Sequence, residues 1–395
     1  MSMVVPMPAD GDRRVAFWPD RRALELLRVE LPIVQAPMAG ASTAAMATVV
    51  AEAGGLGSLP GAPLSPEQLR AELGVIRQQT AKPINVNFFC HAPPVFDAAR
   101  EAAWRRRLKP YYVELGLDPE IRIPAWGGAP FGRAHCDLLE ELKPGVVSFH
   151  FGLPCQDLLC RVKATGAVIL STATTVEEAR FLEARGCDAI IAQGLEAGGH
   201  RGMFLADDVA AQVGTMALVP QIVDAVKVPV IAAGGIADAR GIAAALALGA
   251  AAVQMGTAYL FCPEAAVVPV HRQALRTAQE DQTAVTSVFS GRPARAIVNR
   301  ALREIGPRFE LAPAFPLAAN ALAPLRARSE PAGSDAFTPL WSGQAMRLGR
   351  ELPAGELTRR LAGETLARLA ALQGAGDPVV RQQVQSLARS PIVAG

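Results

Sequence analysis

Short apolar runs recur over the first two thirds of the chain, and segments long enough for a helix separate most of them. The runs show no alternation of apolar and polar residues, which is typical of strands buried on both faces, as in a parallel sheet. Eight such runs occupy residues 31–40, 54–60, 83–89, 145–152, 167–172, 187–192, 228–233 and 250–256. This succession predicts an α/β fold around a parallel sheet.

The alternation of strand and helix is compatible with two architectures, a doubly wound open sheet and a (β/α)8 barrel. The segment 31–262 has the length usual for a barrel, which is roughly 250 residues. Two units also resemble each other, because 183–194 and 246–257 each combine a helix end, a glycine and an apolar strand. We predict a (β/α)8 TIM barrel with a mostly helical C-terminal region that caps the substrate site.

This prediction divides the chain into an N-terminal segment (1–30), the barrel (31–262) and a helical region packed on the barrel (263–395). Residues 90–143 interrupt the rhythm of strands and helices, so we expect an excursion that covers the mouth of the barrel.

Several local patterns predict individual helices. Ser65 to Gln68 (SPEQ) and Thr174 to Glu177 (TTVE) have the form of capping boxes, and Gly186 is placed to end the second of these helices. Further expectations are a short helix at 21–29, helical stretches at 96–115 and 265–305, two terminal helices within 352–389, and disorder at 1–14.

Composition excludes several classes of function. The 39 basic and 37 acidic side chains leave a net charge of +2 without any basic tract, so a nucleic-acid partner is not expected. The apolar run 242–253 is too short to cross a membrane, which takes about 20 residues, and the N-terminus lacks the pattern of a signal peptide. Six cysteines without metal-ligand spacing predict a cytoplasmic protein that has no metal and no disulfide scaffold.

The segment 193–202 (QGLEAGGHRG) follows one of the apolar runs and ends on a histidine. Its four glycines allow a tight turn and a close approach of the backbone to a ligand. Histidine titrates near neutral pH, so His200 at the carboxyl end of a strand is a candidate general base. The alternative interpretation is a glycine-rich turn with a surface histidine.

Two further loops follow the last two predicted strands, where barrels commonly bind phosphate. Gly234 and Gly235 lie in the first, and the second runs from Gln254 to Thr257. Each places glycine before a predicted helix and offers free backbone N–H groups to an anion. Either loop alone could be an ordinary turn, and neither has the G-x-G-x-x-G pattern of a dinucleotide site.

Taken together, these segments resemble the nitronate monooxygenases, formerly called 2-nitropropane dioxygenases, and among them the class I enzymes. The matching segments are PIVQAPMAG (32–40), NVNFF (85–89), VSFHFGLP (147–154), QGLEAGGHRG, AAGGI (232–236), QMGTAY (254–259), SGRPARAIVN (290–299) and FTPLWSGQ (337–344). Several of them also occur in FMN-dependent enoyl and quinone reductases of the same superfamily. VSFHFGLP, which contains His150, favours class I.

The resemblance implies FMN as the cofactor, without a bound nicotinamide. It implies a turn along the flavin ring, amide side chains that bond the flavin or its ribityl chain, and a cradle for the chain and the phosphate. The corresponding cofactor-binding residues are Ala36, Pro37, Met38, Asn87, Gln193, Gly198, Gly234, Gly235, Gln254, Met255, Gly256 and Thr257.

The resemblance further implies that His200 is catalytic, either removing the proton next to a nitro group or orienting a nitronate that is already formed. Alkyl nitronates, such as propionate 3-nitronate, would be oxidised with O2 to a carbonyl compound and nitrite. His150, Phe337 and Trp341 are candidates for substrate contact, although core packing is the alternative for each. Arg292 and Arg295 are expected to anchor the C-terminal region.

Two alternatives to the monooxygenase stay open. The first keeps the barrel and FMN but reduces quinones or enoyl thioesters with NAD(P)H. The second is a phosphate-metabolite isomerase without flavin, which would be colourless. The expected partners are a small-molecule substrate and O2, and the chain is expected to be a monomer or a homodimer.

Overall fold

The computed structural model describes residues 18–123, 129–307, 310 and 312–372. Its strands are β1 (Ile33–Gln35), β2 (Gly57–Pro60), β3 (Ile84–Phe89), β4 (Val146–His150), β5 (Val168–Ala173), β6 (Ala189–Gln193), β7 (Gly199–His200), β8 (Val230–Ala233), β9 (Ala252–Met255), β10 (Thr283–Thr286) and β11 (Ala294–Ile297). Its helices are α1 (Arg22–Leu27), α2 (Ala44–Glu52), α3 (Pro66–Gln79), α4 (Ala98–Glu114), α5 (Arg133–Leu142), α6 (Gln156–Ala164), α7 (Val176–Ala184), α8 (Thr215–Ala225), α9 (Ala239–Ala247), α10 (Thr257–Leu260), α11 (Pro269–Thr277), α12 (Arg300–Ile305), α13 (Ala318–Ser329) and α14 (Ala354–Leu372).

Eight parallel strands form the barrel, in the order β1, β9, β8, β6, β5, β4, β3, β2. A parallel bridge between Val34 and Leu56 joins the two end strands and closes the ring. Each of the eight predicted apolar runs overlaps one of these strands. Nearly all of the strand residues are buried, as expected when helices cover a parallel sheet. The predicted TIM barrel is confirmed.

Two helix starts were predicted from capping patterns, and the structure corrects one of them. Ser65 and Gln68 form the predicted capping box of α3. Helix α7 is capped one residue later than predicted, because Thr175 accepts the Glu178 N–H. The Glu178 carboxylate instead accepts the N–H and hydroxyl of Thr174, each at 2.7 Å. Gly186 ends this helix with a φ of 89°, a conformation that favours glycine.

The hydrophobic core has a part inside the barrel and a part outside it. Inside, Ala23 and Leu27 of α1 pack with alternate strand residues such as Ile191 and Ile231, so α1 contributes to the barrel interior. Outside, the barrel helices pack on the opposite faces of the strands, and Leu357 and Leu361 of α14 join this layer. The predicted short helix near residue 21 therefore has a structural role in the barrel core.

A second, antiparallel sheet was not predicted. It has the order β10, β11, β7 and pairs His200 with Ala294. Two of its strands lie within 265–305, so the expectation that this whole segment is helical is wrong. Residues at 283–286 and 294–297 extend because they pair with each other and because β11 pairs with β7. This pairing ties the C-terminal region to the loop that carries the candidate catalytic histidine.

The described residues of the segment 90–143 include two helices, which have different neighbours. Helix α4 packs on α13 of the C-terminal region, and the Nε1–H of Trp104 donates to the Ala318 carbonyl at 3.1 Å. Helix α5 instead packs between α3 and α6 in the ring around the barrel. The division of the chain into an excursion and a C-terminal region stays a prediction, and α5 belongs to the barrel layer.

Two expectations reach beyond the described residues. The predicted disorder at 1–14 lies outside them, and so does the second of the two helices predicted within 352–389, since the described part of α14 reaches Leu372. All six cysteines are free thiols. No helix in the described ranges is long and apolar enough to span a membrane.

Candidate functional site

A cavity of about 330 Å³ opens where the barrel strands end. Residues from the carboxyl ends of β3, β4, β6, β8 and β9 contribute to its wall, together with the turn after β1 and parts of the C-terminal region. The predicted residues that line it are Ala36, Pro37, Met38, Asn87, His150, Gln193, Gly198, His200, Gly234, Gly235, Gln254, Gly256, Thr257 and Trp341. Segments far apart in the sequence thus meet at one site, as expected for a barrel.

Two of the predicted residues do not belong to this lining. Met255 is 1% exposed and packs in the barrel core. Phe337 is also 1% exposed, and its ring packs edge-on against Tyr111 of α4 at 5.2 Å. Packing therefore accounts for the position of Phe337, whereas Trp341 is part of the cavity wall.

At one end of the cavity, Gly198 and Gly234 allow the backbone to pack closely against neighbouring segments. A Cβ at Gly198 would lie 2.5 Å from the backbone nitrogen of Gly343, which is closer than real Cβ contacts. Gly234 has a φ of 111° and leaves no room for a side chain beside the Thr215 hydroxyl, 2.9 Å away. Both positions require glycine, because a side chain at Gly198 would displace the backbone at Gly343, and one at Gly234 would displace Thr215.

Three amide side chains line the cavity, and they differ in the hydrogen bonds that they make within the protein. Both polar atoms of the Gln193 side chain have protein partners: the nitrogen donates to the His200 carbonyl at 3.0 Å, and the oxygen accepts the Gly202 N–H at 2.7 Å. The Asn87 nitrogen donates to Ser148 Oγ at 2.9 Å. Gln254 Oε1 is buried and has no hydrogen-bond partner in the described part of the chain. Such an acceptor is costly unless a ligand donor satisfies it.

His200 lies on β7, among aromatic rings and close to a serine. Its Nε2 is 2.9 Å from Ser290 Oγ, and the rings of Phe315 and Trp341 each lie 5.2 Å away. Burial, followed by the electrostatic effects of His150, Arg292 and His91, lowers the pKa of His200 to about 3. This pKa is lower than the near-neutral value expected from the sequence, because apolar surroundings disfavour the charged imidazole.

His150 lies at the end of β4 and supports the backbone of His200. Its Nε2 lies 3.2 Å from the His200 carbonyl, which can only accept, so this nitrogen carries the proton. Its Nδ1 then accepts from the Thr172 hydroxyl at 3.1 Å. Burial lowers the pKa of His150 to about 3, so the ring stays neutral. His150 is thus part of the cavity wall, and both of its ring nitrogens have hydrogen-bond partners within the protein.

Two buried arginines, Arg201 and Arg295, and the half-buried Arg292 lie close to the cavity and hold its loops through neutral acceptors. The Arg201 guanidinium is fully buried and donates to the carbonyls of Gln193 and Gly194, each at 2.9 Å, and to Gln212 Oε1. Arg295 donates to the Leu195 carbonyl at 3.0 Å. In the described structure, these hydrogen bonds leave the positive charges without a directly bonded carboxylate. The carboxylates of Glu196 and Glu178 offset the charge of Arg201 in part, from a greater distance.

Arg292 completes this group and reaches the loop after β7. Its guanidinium lies 4.0 Å from the centre of the Phe151 ring and donates to the Met203 carbonyl. Arg292 and Arg295 do not belong to the cavity lining. Their hydrogen bonds join the C-terminal region to the loop around His200, in agreement with the anchoring predicted for both.

Sequence reasoning did not single out several residues of the site. Phe89, Thr172, His271 and Arg326 line the cavity, and Ser290 contacts His200. Ser290 lay within a motif that the family resemblance had identified, so that signal was present. The local sequence around His271 and Arg326 does not distinguish these residues from those of an ordinary packed helix. Only the fold of the C-terminal region brings them to the cavity.

Comparison with known proteins gives consistent results. The family model for nitronate monooxygenase matches residues 21–364. A nitronate monooxygenase of Pseudomonas aeruginosa is 44% identical over 345 residues, which cover 87% of this chain and 98% of that protein. Another from Paraburkholderia phytofirmans is 42% identical, with coverages of 87% and 94%.

Solved structures agree with these relatives. Nitroalkane oxidase from Streptomyces ansochromogenes superimposes with a TM-score of 0.81 at 40% identity, covering 89% of this chain and 99% of that one. FabK from Thermotoga maritima superimposes with a TM-score of 0.69 at 31% identity, with coverages of 89% and 98%. The barrel, the cavity lining and these matches together show that the chain belongs to the nitronate monooxygenase family, and that it is an oxidoreductase of this type.

Proposed function

We propose that this enzyme binds FMN in the barrel cavity and uses it to oxidise alkyl nitronates, such as propionate 3-nitronate, with O2 to carbonyl compounds and nitrite. The observation that carries the proposal is the convergence of two glycine loops, a Pro-Met turn and His200 on one cavity of about 330 Å³. A cavity of this size is within the usual range for small-molecule and cofactor sites.

The residues present fit FMN. Gln254 supplies a buried acceptor without a protein partner, which suits an N–H of the flavin ring. Gly234, Gly235 and Gly256 leave room for a ribityl phosphate chain, and Pro37 with Met38 gives an apolar edge for the ring. The chemistry that FMN supplies when bound is electron transfer between the nitronate and O2. The protein itself positions the substrate and shields the site from water.

The electrostatics of the site support a substrate that is already an anion. A histidine whose pKa is lowered to about 3 is a weak base, and burial makes its charged form unfavourable. Proton removal from a neutral nitroalkane by His200 is thus disfavoured. The guanidinium groups of Arg201 and Arg292 instead place positive charge next to the cavity, which Glu178, Glu196 and Asp207 offset only from a distance. His200 therefore orients a nitronate by hydrogen bonding.

The test begins with the visible spectrum of the purified protein and continues without oxygen. We expect a yellow protein whose flavin spectrum changes on addition of ethyl nitronate and stays unchanged with NADH. In air, ethyl nitronate should be consumed together with O2 and should release nitrite. Reduction by NADH alone would instead support the reductase alternative. A colourless protein that cannot take up FMN would contradict both.

His200→Asn and His135→Asn form a matched pair for this test. The first removes the imidazole from the cavity, so nitronate turnover should fall at least a hundredfold while the flavin is retained, in line with the loss of a transition-state contact. The second replaces a histidine of α5 that lies outside the lining and bonds the Gly132 N–H, so turnover should be unchanged. Equal activity of the two variants would contradict the assigned role of His200.

Location in the cytoplasm is part of the same proposal. Free thiols at all six cysteines suit a reducing compartment. A trapped disulfide among Cys90, Cys136, Cys155, Cys160, Cys187 and Cys262 in protein taken directly from cells would contradict it.

A further inference from the structure

We propose that Ser290 is a positioning residue that sets the tautomer of His200. Its hydroxyl donates to Nε2, so the ring proton resides on Nδ1, and His200 meets an oxygen of the nitronate as a hydrogen-bond donor. This inference rests on the proposed function for the identity of the ligand, and it adds how the site distinguishes a nitronate from its neutral nitroalkane.

The distances around Ser290 favour this direction of the hydrogen bond. Ser290 Oγ lies 2.9 Å from His200 Nε2 and 3.3 Å from the Arg292 carbonyl oxygen. A hydroxyl has only one proton to donate, and O–H···O bonds normally span about 2.5–3.0 Å. The carbonyl is beyond that range, whereas the imidazole nitrogen is at an ordinary bonding distance. The Arg292 N–H also approaches the hydroxyl oxygen, at 3.4 Å, as a donor.

The backbone fixes the serine and the histidine relative to each other. His200 on β7 is opposite Ala294 on β11, and the Arg201 N–H donates to the Pro293 carbonyl at 2.8 Å. Gly291, next to the serine, has a φ of 85° and would place a Cβ 2.1 Å from the Pro313 carbonyl oxygen. The turn that presents Ser290 therefore packs too tightly against its neighbours to shift.

The second ring nitrogen of His200 is left for the ligand. No residue in the described part of the chain hydrogen-bonds Nδ1, and His200 lines the cavity. The ring is neutral, so it has one proton, and a serine that donates to Nε2 forces that proton onto Nδ1. The charge of Arg292 further disfavours a second proton on the ring.

This arrangement explains a preference for the anion. A nitronate has no proton to give up and has negatively charged oxygens that accept a hydrogen bond. A neutral nitroalkane would need the lone pair of a base, and on Nδ1 that position is occupied by the proton. Ser290 thus makes His200 suitable for binding a nitronate and unsuitable for making one.

Nitrogen NMR of the full-length holoprotein with ¹⁵N-labelled histidine tests the tautomer directly. The chain has five histidines, and the His200→Asn variant identifies the signals of His200 by their loss. We expect the protonated nitrogen to be Nδ1 in the wild type and in Ser290→Thr, which keeps the hydroxyl. In Ser290→Ala the proton should redistribute between the two nitrogens. A wild-type proton on Nε2, or a Ser290→Ala spectrum identical to the wild type, would overturn the proposal.

Kinetics provide the second measurement. In Ser290→Ala we expect kcat/KM for ethyl nitronate to fall about tenfold, the effect of losing one well-placed hydrogen bond. Activity with nitroethane should not fall, so the ratio of the two activities shrinks. Ser287→Ala is the control, because Ser287 contributes its carbonyl to the same turn and no side-chain hydrogen bond in the described structure. An equal fall with both substrates would overturn the proposed role of Ser290.

The two measurements separate this inference from the proposed function. A wild-type protein that oxidises no nitronate would contradict the proposed function. The NMR spectrum would still decide whether Ser290 sets the tautomer of His200.

Discussion

Three histidines with lowered pKa values make the folded protein sensitive to mild acid. Burial lowers the pKa of His150 and His200 to about 3 and that of His271 to about 4. In the unfolded chain these side chains titrate at about 6.5. Below that pH the unfolded chain binds protons that the folded chain does not bind. The free energy of unfolding is therefore highest above about pH 7 and decreases as the pH falls toward the folded pKa values.

The size of the effect follows from proton uptake by the unfolded imidazoles. Between about pH 7 and about pH 5.5, each of the three histidines lowers the free energy of unfolding by about 1.2 kcal/mol. The sum is about 4 kcal/mol, which is a large part of the ~5–15 kcal/mol that stabilises a typical protein. His135 adds to the loss, since burial lowers its pKa too. Carboxylates such as Asp238 have lowered pKa values and titrate below this window.

Urea unfolding at the two pH values, with a fixed FMN concentration, measures this difference. His271→Gln provides the control, because it removes one titrating ring whose Nε2 is 3.1 Å from the Trp341 carbonyl. In that variant the pH-dependent loss should shrink by about a third. A wild-type loss below about 1 kcal/mol would refute the reasoning, because it would mean that the folded protein protonates these rings as readily as the unfolded chain.

Three further substitutions test the packing of the site, and two of them have a matched control. Gly198→Ala should abolish flavin retention, because its Cβ would lie 2.5 Å from a backbone nitrogen, whereas Gly74→Ala in α3, with open space around it, should keep the flavin spectrum. Arg201→Met should lower the free energy of unfolding by about 3 kcal/mol in urea, since it leaves the buried Gln212 Oε1 without its donors; a loss within experimental error would contradict that role. Trp341→Phe should change KM for ethyl nitronate because Trp341 lines the cavity. Phe337→Leu should change only the melting temperature, and a matching change in KM would argue against its assignment to the core.

Local sequence predicted the strands well because their signal is local. A parallel strand covered on both faces must be apolar throughout, so each barrel strand is visible as a run without alternation. The capping box at Ser65 was also visible, since N-cap and N3 side chains bond within a single turn. At α7 the pattern placed the cap at Thr174 rather than Thr175. Two adjacent threonines fit the pattern equally, and the carboxylate of Glu178 is shared with distant backbone.

The antiparallel sheet of β7, β10 and β11, in contrast, could not be predicted from local sequence. Its strands are two to four residues long. β10 and β11 are neighbours in the sequence, but β11 pairs with β7, which lies about 95 positions earlier. Periodicity cannot reveal such short segments, and residues near 265–305 therefore read as helical. The sheet nevertheless places Ser290 beside His200.

The sequence by itself determined the barrel and the glycine-rich loops, and the family resemblance that it carries identified many of the residues in the cavity wall. These features depend on burial, on backbone conformations that only glycine adopts easily, and on motifs that lie within single strands and turns. Tertiary structure alone decided the state of His200. Its pKa, its serine partner and the nearby buried arginines come from separate segments, and the electrostatic environment of an imidazole depends on every charge and apolar surface packed around it.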